Sequence, residues 1–154
     1  MEKILVSACL LGRPVRFDGA SRPREHVCAL ADRYELVPVC PECFGKLPIP
    51  RTPSEIDTTA SELRVISSDG EDRTAAFLEG AERCVKIARE QGCTLAVMKA
   101  KSPSCGSGLI YDGSFTGSLT PGDGVATRAL KSAGVQVISE NDVETWLNGQ
   151  PGHE

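Results

Sequence analysis

Four short apolar runs set the terms on which this chain can fold: Lys3 to Ala8 (KILVSA), Glu35 to Val39 (ELVPV), Thr94 to Ala100 (TLAVMKA) and Val135 to Ile138. Each has strand length and reads as a strand buried in a sheet rather than as a half-exposed alternating one. Pro38 lacks an N–H for the ladder and places its strand at a sheet edge or a strand end. The stretches between the runs carry helical spacing. The clearest runs from about Thr74 to Gln91, with Phe77, Ala81, Cys84 and Ala88 on one face and Gly92 as the stop. A shorter helix core is expected over Arg24 to Arg33, with Val27, Cys28, Leu30 and Ala31 on its apolar side, and another over Val125 to Ala133, ended by Gly134. Ser139 with Asp142 resembles a capping box that opens a last helix around Val143 to Leu147. Leu63 to Ile66 reads as a further short strand before the turn at 68–70. Strands alternating with helices predict an α/β fold with three layers, a mainly parallel sheet and helices on both faces, of Rossmann-like type.

The 154 residues suit one domain, expected over 1–148, with 149–154 as a flexible tail. No apolar run approaches the roughly 20 residues of a membrane span, and the first fifteen residues run straight into patterned sequence without a cleavage region. The expected setting is the cytoplasm, with no membrane partner. Seventeen basic against 21 acidic residues, a net charge of -4, leave no broad basic surface, so a long nucleic acid is not an expected partner. Composition says nothing of the oligomeric state.

Two segments resist the alternation: Cys40 to Glu62, rich in proline, and Lys101 to Gly124, rich in glycine and serine. Loops of that length in a compact domain are functional or disordered, and the cysteine and apolar residues in both favour function.

Seven cysteines in a chain of this composition point to metal or thiol chemistry rather than to a disulfide framework. Cys9 follows the first strand, Cys40 the second, and Cys105 comes a few residues after the 94–100 strand. In a parallel sheet all three lie near the carboxyl edge, where open α/β sheets bind ligands. Three thiolates from separate loops suit a soft metal or an iron-sulfur cluster, and a cluster of four irons with three such ligands keeps one iron open as a Lewis acid. The alternative is that they are small buried packing residues. Cys28, Cys84 and Cys93 are read as packing residues. Cys43 completes a CxxC with Cys40, a spacing that also serves zinc or a redox pair; no second CxxC accompanies it, and His26 and His153 are not placed to complete a zinc site.

Glu42 is a candidate general base, and Ser102 and Ser104 are candidate hydrogen-bond donors or proton relays. Asp18 and Asp112 head Asp-Gly turn signals and are candidate site residues second. Arg51, between Pro50 and Pro53, either binds an anion or carbonyl oxygen or pins its own loop. No glycine fingerprint for a nucleotide is present.

The segments Ser7-Ala-Cys-Leu-Leu-Gly12, Val15-Arg-Phe-Asp-Gly19, Pro38-Val-Cys-Pro-Glu42, Leu47-Pro-Ile-Pro-Arg-Thr-Pro-Ser-Glu-Ile56, Ser102-Pro-Ser-Cys-Gly106 and Ile110-Tyr-Asp-Gly113 together resemble the motif set of the thiouracil desulfidase (TudS) family. Gly122-Asp-Gly-Val125 and Ser139-Glu140 extend the resemblance over nearly the whole chain. It implies a 4Fe-4S cluster held by the cysteines matching Cys9, Cys40 and Cys105, with one open iron that takes the sulfur of a thiolated base. Water then replaces that sulfur, giving uracil and sulfide with no net redox change. It also implies proton handling by Glu42 and Ser102, with Ser104 a substitute for the serine role, and substrate contacts are expected from Ser104, Arg51 and Asp18. Two other readings of the same residues are a non-catalytic module that binds zinc or a cluster, and a cluster-free enzyme passing sulfur through a cysteine persulfide.

Overall fold

The computed structural model describes residues 1–13 and 24–150. Its centre is a four-stranded sheet of β1 (Lys3–Ser7), β2 (Glu35–Val39), β5 (Leu95–Met98) and β8 (Gln136–Ser139), in the order β2-β1-β5-β8. Every pairing in it is parallel: Leu5 stands beside Val37 on one side and Ala96 on the other, and Val97 beside Ile138. Pro38 lies on the edge strand β2, where its missing N–H costs no ladder bond on the open side.

Successive residues of the central strands enter two different apolar clusters, as the two-residue period of a strand requires. Leu5, Ala96 and Met98 pack with Phe77, Ala81, Cys84 and Ala88 of α3 (Thr74–Gln91) and with Ala126 and Leu130 of α4 (Val125–Ser132). Ile4, Val6, Leu95 and Val97 pack instead with Val27 of α1 (Glu25–Cys28), with Leu30, and with Val143 of α5 (Val143–Asn148). Burial on alternate sides explains why these strands read as continuous apolar runs.

The helix expected over 24–33 is divided: α1 gives way to a 3-10 turn over Ala29–Asp32. Three residues per turn stack Val27 over Leu30, and both are buried in the same cluster. The helix at Thr74 has the expected bounds. It closes on Gly92 at φ 70°, where the N–H of Cys93 reaches back to the Ala88 carbonyl, a Schellman pattern. The capping box of Ser139 and Asp142 is present, but it opens a 3-10 turn, Glu140–Asp142, before α5.

The two irregular segments contain more order than their composition suggests. The first holds the short helix α2 (Pro41–Phe44), with Pro41 in its first turn, and β3 (Ser54–Ile56), which pairs antiparallel with β4 (Val65–Ser67). The second holds the antiparallel pair β6 (Leu109–Tyr111) and β7 (Leu119–Pro121).

Helix α2 rests on α3 backbone to backbone. A Cβ at Gly80 would stand 1.9 Å from the Pro41 carbonyl oxygen, and one at Gly45 would stand 2.1 Å from that of Ala76. Backbone atoms cannot swing aside as a side chain can, so Gly80→Ala must push α2, with Cys40 and Glu42, off its seat. We expect the substitution to cost about 3 kcal/mol, the upper end for overpacking, and to lower the melting midpoint by about 6–12 °C. A midpoint unchanged from wild type in a thermal melt would show that this contact does not hold α2.

Candidate active site

The carboxyl ends of β2, β1 and β5, three neighbouring strands, carry the cysteines into one place. Cys9 sits in a 3-10 turn, Ala8–Leu11, directly after β1; the turn ends at Gly12, whose φ of 92° is the left-handed conformation glycine adopts without strain. Cys40 follows β2 as the residue capping α2, and Glu42 lies in that helix's first turn.

Cys105 depends on a longer device. The N-terminal end of α4 points its orphan N–H groups at the loop that carries it: Val125 N–H donates to the Pro103 carbonyl (2.8 Å), and Ala126 N–H to that of Ser104 (2.9 Å). The Thr127 hydroxyl donates to the Cys105 carbonyl at 2.8 Å. Gly124 is required at this junction, since a Cβ there would stand 2.5 Å from the Ser104 carbonyl carbon.

Cys9, Cys40, Cys105, Glu42, Ser102 and Ser104 all line one cavity of about 490 Å³. Arg51 is in its wall as well, and so is Lys99. Among the described residues that line it, Cys40 is present and Cys43 is not. Cys43 stands on α2 with its side chain in hydrogen-bond reach of Cys40. Asp18 and His153 lie outside the described residues. Asp112 is in the β6–β7 hairpin, where its carboxylate binds Ser114 and not this cavity. Cys84 and Cys93 are buried in the apolar core, as expected; Cys28 is half-buried and donates to the Leu10 carbonyl at 3.8 Å.

Burial governs the thiols. It pushes Cys105 up to about 12, although hydroxyls of Ser7 and Ser104 direct hydrogen bonds at its sulfur and pull the other way. Cys40 is raised by burial too; a backbone hydrogen bond from Cys43 pulls against that rise, while the Cys43 side chain and charge add to it. Thiolate charge in this pocket therefore needs a cation beside it, which is the condition under which a metal displaces the protons. The donor set fits a soft group: three sulfurs on one cavity, one of them met by two hydroxyls suited to a thiolate.

Among the described residues no three or more His, Cys, Asp or Glu side chains are arranged to hold a metal ion.

Beside the cysteines runs a polar chain. Arg51, with 2% of its side chain exposed, donates through Nε to Glu42 Oε1 at 3.2 Å and through Nη1 to the Pro48 carbonyl at 3.0 Å. The Ser104 hydroxyl donates to Glu42 Oε2 at 3.0 Å, and the Ser102 and Ser104 hydroxyls are 2.9 Å apart. Three further residues shape the site without having been singled out in the sequence. Ser7 Oγ accepts the Lys99 N–H at 2.9 Å. Lys99 pairs with the buried Glu140 at 3.2 Å, and Glu140 also accepts the Ala100 N–H at 2.7 Å. Ser7 and Glu140 lie within the motif segments, but only contact across the fold reveals what they touch.

The parallel α/β sheet brings three thiols, a carboxylate and two hydroxyls to one cavity at its carboxyl edge, a donor set suited to a soft metal group beside side chains able to carry protons. The model of the 2-thiouracil desulfurase family matches residues 4–142, and the chain belongs to that family. It is similar to the uncharacterized protein YbbK of Bacillus subtilis (strain 168), at 39% identity over 150 residues that cover 94% of this chain and 99% of that one. Among solved structures it is similar to the [4Fe-4S]-dependent thiouracil desulfidase TudS (DUF523Vcz), with a TM-score of 0.85 and 42% identity, covering 94% of this chain and 95% of the other.

Proposed function

We propose that this protein is a [4Fe-4S]-dependent enzyme that replaces the sulfur of thiouracil, or of a related thiolated base, with oxygen from water. The observation that carries the reading is the meeting of Cys9, Cys40 and Cys105 with Glu42 and Ser102 on one cavity, in a chain 42% identical to a desulfidase that depends on such a cluster. The overall reaction is a hydrolysis: the C=S bond and water give C=O and hydrogen sulfide, and no electrons are gained or lost.

Cys9, Cys40 and Cys105 would hold the cluster, which with three protein ligands supplies a Lewis-acidic iron suited to a soft thiocarbonyl sulfur. The chain's own groups do the rest. Glu42 takes the proton of the attacking water and so makes it a better nucleophile. Ser102, on the cavity wall, orients the base and the water.

The two apolar clusters fed by alternate residues of β1 and β5 support three layers, with helices on both faces of the sheet, over a single domain of residues 1–148. No helix among the described residues is long and apolar enough to cross a membrane. Thiols kept available for a cluster suit a reducing compartment, the cytoplasm.

The test is to incubate the anaerobically reconstituted protein with thiouracil without an added reductant, following loss of thiocarbonyl absorbance and release of sulfide together. Sulfide and uracil in equal amounts are expected, from protein that contains iron and acid-labile sulfide. Equal turnover with and without the cluster, or turnover only with a reductant, would overturn the proposal. Zinc in place of iron would favour a structural site.

A further inference from the structure

The cysteines make up only part of the wall of the 490 Å³ cavity; β3 and β6 lend it Glu55 and Tyr111. Ser54 and Ile56 of β3 are buried, and Glu55 between them is half-buried, the alternation that turns its carboxylate to the other face of the strand. Glu55 Oε1 accepts the N–H of Gly113 at 2.9 Å and that of Phe115 at 3.3 Å, both in the β6–β7 hairpin. Gly113 sits hard against β3: at φ 96°, a Cβ there would stand 2.6 Å from the Ile56 carbonyl oxygen. The carboxylate is thus fixed through one oxygen, while Oε2 takes no hydrogen bond from the described residues. Glu42, the other carboxylate on the cavity, has both oxygens engaged, one by Arg51 Nε and one by the Ser104 hydroxyl.

Tyr111 is the one aromatic ring among the described residues that line the cavity. It ends β6 directly across from Leu119 of β7, and its neighbour Ile110 is buried in the core, so the strand that presents the ring is anchored on both counts.

A thiolated pyrimidine offers two things such a wall can take hold of. It has a flat face, which an aromatic side chain can stack on. It also has ring N–H groups, and N3–H stands next to the sulfur-bearing carbon in 2-thiouracil and in 4-thiouracil alike. A carboxylate oxygen with its lone pairs free is the strong acceptor for that hydrogen.

We propose that Glu55 and Tyr111 select the base: Tyr111 stacks on the pyrimidine ring while Glu55 Oε2 accepts N3–H. The assignment rests on the reading of this cavity as the seat of a thiolated base, and it adds to that reading what the protein selects, a planar ring with an N–H beside the thiocarbonyl. A ring substituted at N3 is rejected, because the carboxylate loses water on binding and gains no partner. Arg51 and Ser104, both committed to Glu42, are not needed for this contact.

The experiment uses the iron-loaded protein, with calorimetric binding of the product uracil beside turnover of 2-thiouracil and its 1-methyl and 3-methyl derivatives. Glu55→Gln keeps an oxygen for Gly113 and Phe115 and puts an NH2 where the second acceptor stood. It is expected to weaken uracil binding about tenfold and to raise KM by a similar factor for 2-thiouracil and the 1-methyl derivative, the loss falling on KM rather than kcat. The 3-methyl derivative, a poor substrate of the wild type, should be no poorer in the variant. Tyr111→Leu should raise KM about tenfold for all three bases, and Tyr111→Phe, which keeps the ring, should match wild type. Equal losses on all three bases in Glu55→Gln would make Glu55 a brace for the hairpin and end its part in selection, as would a wild-type KM. A loss in Tyr111→Phe as large as in Tyr111→Leu would assign the contact to the hydroxyl and overturn the stacking. Uracil binding that depends on Glu55 and on N3–H, in a protein that releases no sulfide, would end the desulfidase reading and leave the selection of the base standing.

Discussion

Alanine at Cys9, at Cys40 or at Cys105 is expected to leave the protein folded and unable to keep its cluster. Anaerobic reconstitution of the wild type should give roughly four irons per chain with a broad visible absorbance, and each of the three variants should lose both. The reason is geometric: these three thiols share the cavity wall and come from separate loops, so none has a substitute at its own position. Cys43 is the nearest candidate for one, but it stands on the second half of a four-residue helix and does not face the cavity. Cys43→Ser should therefore retain iron, as should Cys28→Ala, Cys84→Ala and Cys93→Ala, which lose packing only. A full cluster in any of the three ligand variants, or iron loss in Cys43→Ser with unchanged circular dichroism, would move the assignment.

Glu42→Gln is the second large effect, a fall in turnover of roughly a hundredfold or more, the usual scale for loss of a general acid-base group. Glutamine keeps the size and the acceptor oxygen but cannot take a proton. The cluster should survive, because Cys40 is held by α2 packed on α3 and not by the carboxylate. Ser102→Ala should lose turnover as well, by less than Glu42→Gln if the remaining groups still order a water. Parallel measurement of iron, thiocarbonyl absorbance and sulfide separates a missing base from a missing cluster. Wild-type rates in Glu42→Gln would place the base elsewhere.

The sheet was legible because its strands announce themselves: four apolar runs and a helix whose apolar face and glycine stop are written in Phe77, Ala81, Cys84, Ala88 and Gly92. The site was legible in part for the same reason, since loops after parallel strands must share an edge. What could not be read was contact across the fold. Three-residue strands such as β3 and β6 carry too little pattern to separate from loop, and α2 is a single turn whose partner is the backbone of α3. Gly80 offered a cue: a glycine inside an otherwise regular helix costs about 1 kcal/mol relative to alanine, so it needs a reason. That reason, the Pro41 carbonyl, is far away in the chain. Likewise the link from Arg51 to Glu42 crosses a proline-rich loop whose path no local rule specifies.

The three proposed ligands follow three adjacent strands, β2, β1 and β5, and this bears on how a protein that holds its cluster there would be made and maintained. In an unfolded chain, bringing Cys9, Cys40 and Cys105 together would mean closing long loops against their entropy, with little to compensate. Strand pairing and the two apolar clusters bring them together in any case, so the fold is the mould and the cluster a late insertion. A group that binds only the finished sheet then tightens it in proportion to its affinity. On the proposed ligand set, maturation and repair would be the same operation: a cluster lost to oxygen would leave behind a shaped receptacle, to be refilled without the chain having to fold again.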